Sequence, residues 1–220
     1  MLIAGIDEAG RGCVIGPLVV AGVAVKEENI LALAALGVKD SKLLTAKKRE
    51  NLYPEIIGLA DKHAVLKVQP PEIDRVVESQ RRLHKLNRLE AETMAQIVTA
   101  LEPDLVYVDA ADVLEKRFGQ HILEASAFKT RIISKHKADR TYPVVSAASI
   151  LAKVERDSEV ADLRGEFGDF GTGYLTDPKT TQFLNEWLKN HEEYPECVRK
   201  SWKPAKAAKS MKGTTQQKLV

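Results

Sequence analysis

The chain has 220 residues, 44% of them hydrophobic, enough for one substantial core and too apolar for a disordered protein. The net charge of +2 is uneven: residues 199–220 carry seven basic and no acidic side chains, leaving 26 basic against 31 acidic residues elsewhere. Two distant cysteines, Cys13 and Cys197, lack metal-ligand spacing and suit a reducing cytoplasmic compartment rather than a disulfide framework. No run reaches the ~18–20 apolar residues of a membrane span, and Asp7 and Glu8 interrupt the first apolar run too early for a signal peptide.

Residues 2–7 read as a strand that ends in Asp7 and Glu8, followed by the turn Gly10-Arg11-Gly12. Gly16-Pro17 punctuates the path to a valine-rich strand at 18–25. A short helix is expected at 30–36, and Thr45 reads as the N-cap of a helix reaching Leu59. A weakly alternating strand at 63–68 precedes a break at Pro70-Pro71 and a short helix at 72–79. Leu86, Leu89, Met94, Ile97, Val98 and Leu101 fall at helical spacing and predict an amphipathic helix over 84–101. A strand at 105–108 stops at Asp109, a helix follows at 114–124, and a strand at 130–134 leads into Lys135-His136-Lys137-Ala138-Asp139. The long helix expected over 144–167 carries a small-residue face, Ser146, Ala147, Ala148, Ser149 and Ala152, suited to close packing on a sheet. Asp177-Pro178 starts another helix to about Asn190, and the lysines beyond Trp202 ride on a last one. Strands followed by alternating helices and strands predict an α/β fold with a mixed sheet. The economical division is a catalytic domain over 1–190 and a basic, helical C-terminal segment over 191–220.

Three apolar runs thus end in acids: Asp7-Glu8, Asp109 and Asp139. Functional groups gather at strand ends in α/β sheets. If these ends converge, the carboxylates form an all-oxygen site that favours Mg²⁺ or Mn²⁺ over zinc. Two such ions about 4 Å apart can activate water and stabilise the leaving oxygen of a phosphodiester. Adjacent strand residues point to opposite faces, so Asp7 and Glu8 share a site only if the pleat breaks or Glu8 uses its backbone carbonyl. Asp109 alone reads equally as a turn residue, and Asp112 as a cap of the next helix. The basic tail beside an acidic body suits an enzyme acting on a polyanion.

The motifs Gly5-Ile6-Asp7-Glu8-Ala9-Gly10-Arg11-Gly12, Asp40-Ser41-Lys42, Tyr107-Val108-Asp109-Ala110-Ala111-Asp112, Lys135-His136-Lys137-Ala138-Asp139, Val145 to Lys153, Gly173-Tyr174 and Val198-Arg199-Lys200-Ser201-Trp202-Lys203 follow one order and spacing. In this the chain resembles ribonuclease HII of the archaeal type, from Met1 to about Lys203. The resemblance implies a ribonuclease H-like mixed sheet flanked by helices, with a helical C-terminal segment. It also implies a metal-dependent endoribonuclease that hydrolyses the RNA strand of RNA–DNA hybrids. Cleavage would extend to the 5′ side of single ribonucleotides in duplex DNA and leave 3′-hydroxyl and 5′-phosphate ends. The implied catalytic and metal-binding acids are Asp7, Glu8, Asp109 and Asp139, with two Mg²⁺ or Mn²⁺ ions. The implied substrate contacts are Gly10, Arg11 and Gly12, which read the ribose, Tyr174, which senses the 2′-hydroxyl, and Lys42 and Lys153 on the backbone. Cys13 and Leu175 replace prolines common in the family and are expected to loosen the ribose-reading loop.

Other residues carry weaker signals. Arg81, Arg82, Lys85 and Arg88 form either a phosphate track or a solvated helix face. Lys203, Lys206, Lys209 and Lys212 recur every three residues and are expected to grip the duplex. His136 reads as structural rather than as a general base, since two-metal hydrolysis needs none. Gln216-Gln217-Lys218-Leu219 resembles the start of a sliding-clamp-binding peptide without its aromatic pair. The expected partners are therefore hybrid and ribonucleotide-containing duplex, with a clamp in second place, no membrane, and a monomeric enzyme. The competing readings are another nuclease or resolvase of the same fold, and a non-catalytic hybrid-binding module.

Overall fold

The computed structural model describes residues 1–38, 41–80 and 84–217; the side chains of Lys42 and of residues 211–217 also lie outside the description. Asp40, Arg81, Arg82, the Lys42 and Lys212 side chains and the clamp-like segment at 216–219 therefore fall outside what is described structurally. The described chain forms two compact units.

The first unit holds Met1–Ala9, Val19–Lys67 and Leu83–Glu155. Its five-stranded sheet has the order β3-β2-β1-β4-β5, with β1 at Leu2–Ala9, β2 at Leu18–Lys26, β3 at Lys62–Val68, β4 at Leu105–Asp109 and β5 at Arg131–Lys135. β1 runs antiparallel to β2 and parallel to β4, which runs parallel to β5. The mixed α/β expectation is borne out. β2 is buried at eight of its nine positions, which explains its unbroken apolar run: both faces of the sheet are covered.

Two strand glycines show how closely the helices approach. A Cβ on Gly5 would lie 2.2 Å from the backbone carbon of Val144, so α6 (Pro143–Phe167) meets β1 backbone to backbone. A Cβ on Gly22 would lie 2.4 Å from Ile97, so α4 (Lys85–Leu101) covers the opposite face. The small-residue run of α6 makes the first approach possible: Ala147, Ala148, Leu151 and Ala152 are fully buried in one cluster with Ile3, Val23 and Val25. Leu52 and Ile56 of α2 (Ala46–Leu59) and Leu33 of α1 (Ile30–Ala35) complete that cluster. The Thr45 hydroxyl caps α2 by accepting from Lys48 N–H at 3.2 Å. On the other face α5 (Glu115–Ala125) packs beside α4 and against β5.

The second unit holds Gly10–Leu18, Val68–Arg82 and Arg156–Val220. Its core joins Val14, Ile15, Val160, Phe170, Leu184, Leu188 and Tyr194. The helices are α3 (Pro70–Glu78), the second half of α6, α7 (Pro178–Asn190) and α8 (Lys203–Gln217). α3 starts at the proline pair rather than after it, because proline's missing N–H costs nothing in a first helical turn. Asp74 of α3 accepts from the backbone N–H groups of Lys200 and Ser201, at 2.8 and 3.0 Å, anchoring the chain just before α8.

Candidate active site

β1, β4 and β5 are mutually parallel, so their C-terminal ends open at one edge of the sheet. Ile6 pairs with Val108, which sets Asp7 level with Asp109 one step further along. Asp7 shares strand parity with Ile3 and Gly5, on the face that α6 covers. Asp139 comes from a 3-10 turn at Ala138–Arg140, just beyond β5. The N–H of Ala138 donates to Asp109 Oδ1 at 3.2 Å, fastening that turn to the end of β4. Carboxylate oxygens of Asp7, Asp109 and Asp139 all lie within 4.8 Å of one another.

Glu8 is not part of this group. The β1–β2 ladder continues through Asp7–Ala21, Glu8–Val20 and Ala9–Val19, so the pleat is intact and the Glu8 side chain leaves on the opposite face. Its backbone N–H donates to Asp7 Oδ1 at 2.8 Å. Asp112 is fully buried elsewhere: Arg117 holds its carboxyl far below the usual carboxylate range, and it accepts from Leu114 N–H at the start of α5. His136 is exposed, its backbone N–H donating to Glu115 and its ring against the Val113 carbonyl.

Burial pushes the Asp7 carboxyl up to about 7, the neighbouring Asp109 charge adds to the rise, and Asp139 contributes further. Hydrogen bonds from Ser149 and from the Glu8 amide partly offset this. Ser149 is itself buried on α6, and its hydroxyl meets that of Ser41 at 2.8 Å. Arg49 in turn donates to the Ser41 and Leu44 carbonyls at 2.9 and 2.6 Å, fixing the loop that carries Lys42. The charges that act on Asp7 are thus other carboxylates. Three clustered acids, one of them 5% exposed, fit a divalent cation as the missing compensation, and their oxygens suit a hard ion. Ser41 and Ser149 were legible only as parts of motifs, since a serine within a small-residue run reads as packing.

In the second unit the Gly10-Arg11-Gly12 turn and Tyr174 come together. A Cβ on Gly12 would stand 4.0 Å from Tyr174 Cε1, and the Gly10 N–H donates to the Tyr174 hydroxyl. Cys13 is fully buried, and its Sγ donates to the Gly10 carbonyl at 3.0 Å. Leu175 is 39% exposed. Lys153 sits half-buried on α6, in the first unit. Lys206 and Lys209 of α8 form exposed ion pairs with Glu78 and Glu193.

The family model for ribonuclease HII matches residues 4–205. Over 204 residues the chain is 50% identical to the ribonuclease HII of Pyrococcus furiosus, covering 92% of this chain and 88% of that relative. This chain belongs to the ribonuclease HII family. Its fold superposes on the crystal structure of ribonuclease H2 from Pyrococcus horikoshii with a TM-score of 0.88 and 44% identity, over 96% of this chain and 98% of that one. The ribonuclease HII of Archaeoglobus fulgidus, solved in complex with PCNA, follows with a TM-score of 0.83 and 45% identity, over 92% and 96%. As a ribonuclease HII, the protein is a metal-dependent endoribonuclease acting on RNA–DNA hybrids, with a ribonuclease H-like sheet.

Proposed function

We propose that Asp7, Glu8, Asp109 and Asp139 form the catalytic centre of this ribonuclease HII, with two Mg²⁺ or Mn²⁺ ions as cofactors. Asp7, Asp109 and Asp139 would hold the ions through carboxylate oxygens, and Glu8 through its backbone carbonyl, since its side chain leaves on the other face. Bound there, divalent ions supply the Lewis acid that neutralises charge on the scissile phosphate and makes water a better nucleophile. The observation that carries the reading is the meeting of three strand-end carboxylates within 4.8 Å, with Asp7 buried among like charges.

The substrate is hybrid, or duplex DNA holding single ribonucleotides, cut on the 5′ side of the ribose to leave 3′-hydroxyl and 5′-phosphate ends. Gly10, Arg11 and Gly12 read the 2′-hydroxyl through backbone groups, because a glycine turn lets the backbone approach where a side chain would block it. Tyr174 offers its ring to the adjoining sugar, while Lys42 and Lys153 take phosphates as point charges. The basic segment over 191–220 adds grip: exposed pairs such as Lys206–Glu78 are worth little and exchange readily for phosphate. We propose a cytoplasmic monomer, in keeping with two free cysteines. No helix among the described residues is long and apolar enough to cross a membrane. The PCNA complex of the Archaeoglobus fulgidus relative supports a sliding clamp as partner, and a pull-down comparing the full chain with one ending before residue 216 checks it.

The direct test is a duplex with one ribonucleotide, assayed with Mg²⁺ or EDTA, with the cut mapped at nucleotide resolution. The expected result is one Mg²⁺-dependent cut 5′ of the ribonucleotide, lost in Asp109→Asn. Undiminished cleavage by that variant, or a cut on the 3′ side, refutes the assignment.

A further inference from the structure

Two arginines of the second unit, Arg156 and Arg199, are 1% and 0% exposed, and neither is among the residues assigned to metal or substrate. Charged side chains are seldom buried without a reason, because the guanidinium must recover its hydration from fixed acceptors. Arg199 recovers it from one loop. Its Nη2 donates to the Gly10 carbonyl at 2.7 Å and to that of Gly16 at 3.0 Å. Its Nη1 donates to the Arg11 carbonyl at 2.9 Å, and its Nε to Gly16 at 3.1 Å. All of these acceptors are backbone carbonyls.

That choice has a consequence for the opposite side of the same peptides. In a planar trans peptide the carbonyl of one residue and the N–H of the next point in opposite directions. Drawing the Gly10 and Arg11 carbonyls onto Arg199 turns the N–H groups of Arg11 and Gly12 away from it. Gly12 is itself exposed.

Arg156 braces the other half. Its guanidinium lies 4.8 Å from the centre of the Tyr174 ring, and its Nη2 donates to the Thr172 carbonyl at 2.8 Å. It fills the space behind both segments: a Cβ on Gly10 would stand 3.0 Å from Arg156 Nε, and one on Gly173 would stand 3.2 Å from Nη2. Gly10 also has φ +85, a conformation that only glycine holds without strain. Backbone bonds lace the rest: Val14 N–H to the Gly173 carbonyl, Gly16 N–H to Cys197 and Arg199 N–H to Val14, each at 2.8 Å.

We propose that Arg199 and Arg156 are positioning residues for ribose recognition. Arg199 sets the peptide planes whose amides meet the 2′-hydroxyl, and Arg156 sets the tyrosine ring against that turn. The inference rests on the proposed ribose-reading role of Gly10, Arg11, Gly12 and Tyr174. Its test measures selectivity, which a merely structural residue would not move. Full-length protein carrying Asp7→Asn, to prevent cleavage, is titrated by fluorescence anisotropy with two duplexes of one sequence, one all DNA and one with a single ribonucleotide. Arg199→Lys keeps the charge and loses the fork, so affinity for the all-DNA duplex should hold within about twofold. The selectivity ratio between the two duplexes should fall by about tenfold, as for a lost hydrogen bond to a positioned group.

Arg156→Lys should lower the same ratio independently, and decides the matter if Arg199→Lys fails to melt cooperatively. An unchanged ratio in the folded arginine variants, or equal weakening on both duplexes, overturns the inference. Tyr174→Ala and Gly12→Ala separate the two levels. If they collapse the ratio while the arginine variants do not, the brace is refuted and the ribose-reading role stands. If all four leave it unchanged, the ribose-reading role falls and the inference falls with it.

Discussion

Asp7→Asn should do two opposite things: abolish cleavage and stabilise the metal-free protein. The Asp7 carboxyl is pushed from 3.8 to about 7, first by burial and then by the Asp109 charge. The folded protein therefore holds this proton more tightly than the unfolded chain does. Between pH ~4 and ~7 the unfolded state binds fewer protons, so stability falls as pH rises through that window and levels off above it. A rise of roughly three units, at 1.36 kcal/mol each, makes the ionised carboxylate cost about 4 kcal/mol above pH ~7 in the absence of metal. Asparagine is neutral and nearly the same shape, and its carbonyl oxygen can still accept from the Glu8 N–H, now 2.8 Å from Oδ1.

In EDTA at pH 8, Asp7→Asn should thus melt above the wild type by roughly 8–16 °C, at 2–4 °C per kcal/mol for a chain of this size. At pH 4 the two should melt together. Excess Mg²⁺ should raise the wild-type Tm far more than that of the variant, since an ion that binds only the folded state stabilises it by mass action. Hydrolysis should fall by about three orders of magnitude, the worth of several kcal/mol of charge stabilisation. Calorimetry across pH, with and without Mg²⁺, checks the stability changes, and a cleavage assay checks the rate. A metal-free Asp7→Asn no more stable than wild type at pH 8, or a gap that persists at pH 4, would refute the account of Asp7 as an uncompensated buried charge.

Ser149→Ala removes a hydrogen bond that lowers the Asp7 pKa, so protons should compete with metal up to higher pH. The acidic limb of the kcat/KM profile should move to higher pH and half-saturation should need more Mg²⁺; an unmoved limb would exclude Ser149 from the site. Gly5→Ala places a Cβ 2.2 Å from the Val144 backbone and should cost about 3 kcal/mol, or a fall in Tm of roughly 6–12 °C. Because Asp7 lies two residues on along the same face, cleavage should fall as well. Replacing Lys203, Lys206 and Lys209 by Gln should reduce the slope of log Kd against log salt by about one for each phosphate no longer neutralised, so by up to about three. A reduction of only about one would mean that Glu78 and Glu193 keep two of these lysines.

The secondary structure was legible where local chemistry decides it. Thr45 caps the helix it was expected to cap, and the helix expected to start at Asp177-Pro178 does so, with Asp177 accepting from Lys179 N–H at 3.1 Å. The strand parity that separates Asp7 from Glu8 also follows from sequence, and the intact ladder resolves the question it raised. What sequence could not supply was the direction of burial for long polar side chains. Arg199 stands in a basic stretch and looks like surface, yet it is among the largest fully buried side chains. Its burial depends on carbonyls of residues 10, 11 and 16, nearly two hundred positions away, and no periodicity encodes such a pairing. Cys13 is a related case: losing a family proline predicts a looser turn, and what the sequence did not reveal is that the buried thiol donates to the Gly10 carbonyl.

The third acid shows why a strand end alone does not make the site. On β5 the residue level with Asp109 is Lys135, an exposed edge position, and an acid there would share its exposure. The acid comes four residues later, after the chain has turned back. Lys137 takes φ 56, a left-handed conformation that costs a non-glycine residue about 1–2 kcal/mol, and the 3-10 turn at Ala138–Arg140 follows at once. That turn carries Asp139 to 3% exposure and within reach of Asp7 and Asp109. The Ala138 N–H donated to Asp109 Oδ1 and the Ser146 hydroxyl donated to the Asp139 carbonyl hold the strained turn shut. Asp109 thus serves as a member of the acidic group and as the acceptor that keeps Asp139 in it. The geometry of the three acids is therefore one cooperative feature rather than three independent placements, and substitution at Asp109 acts on two carboxylates at once.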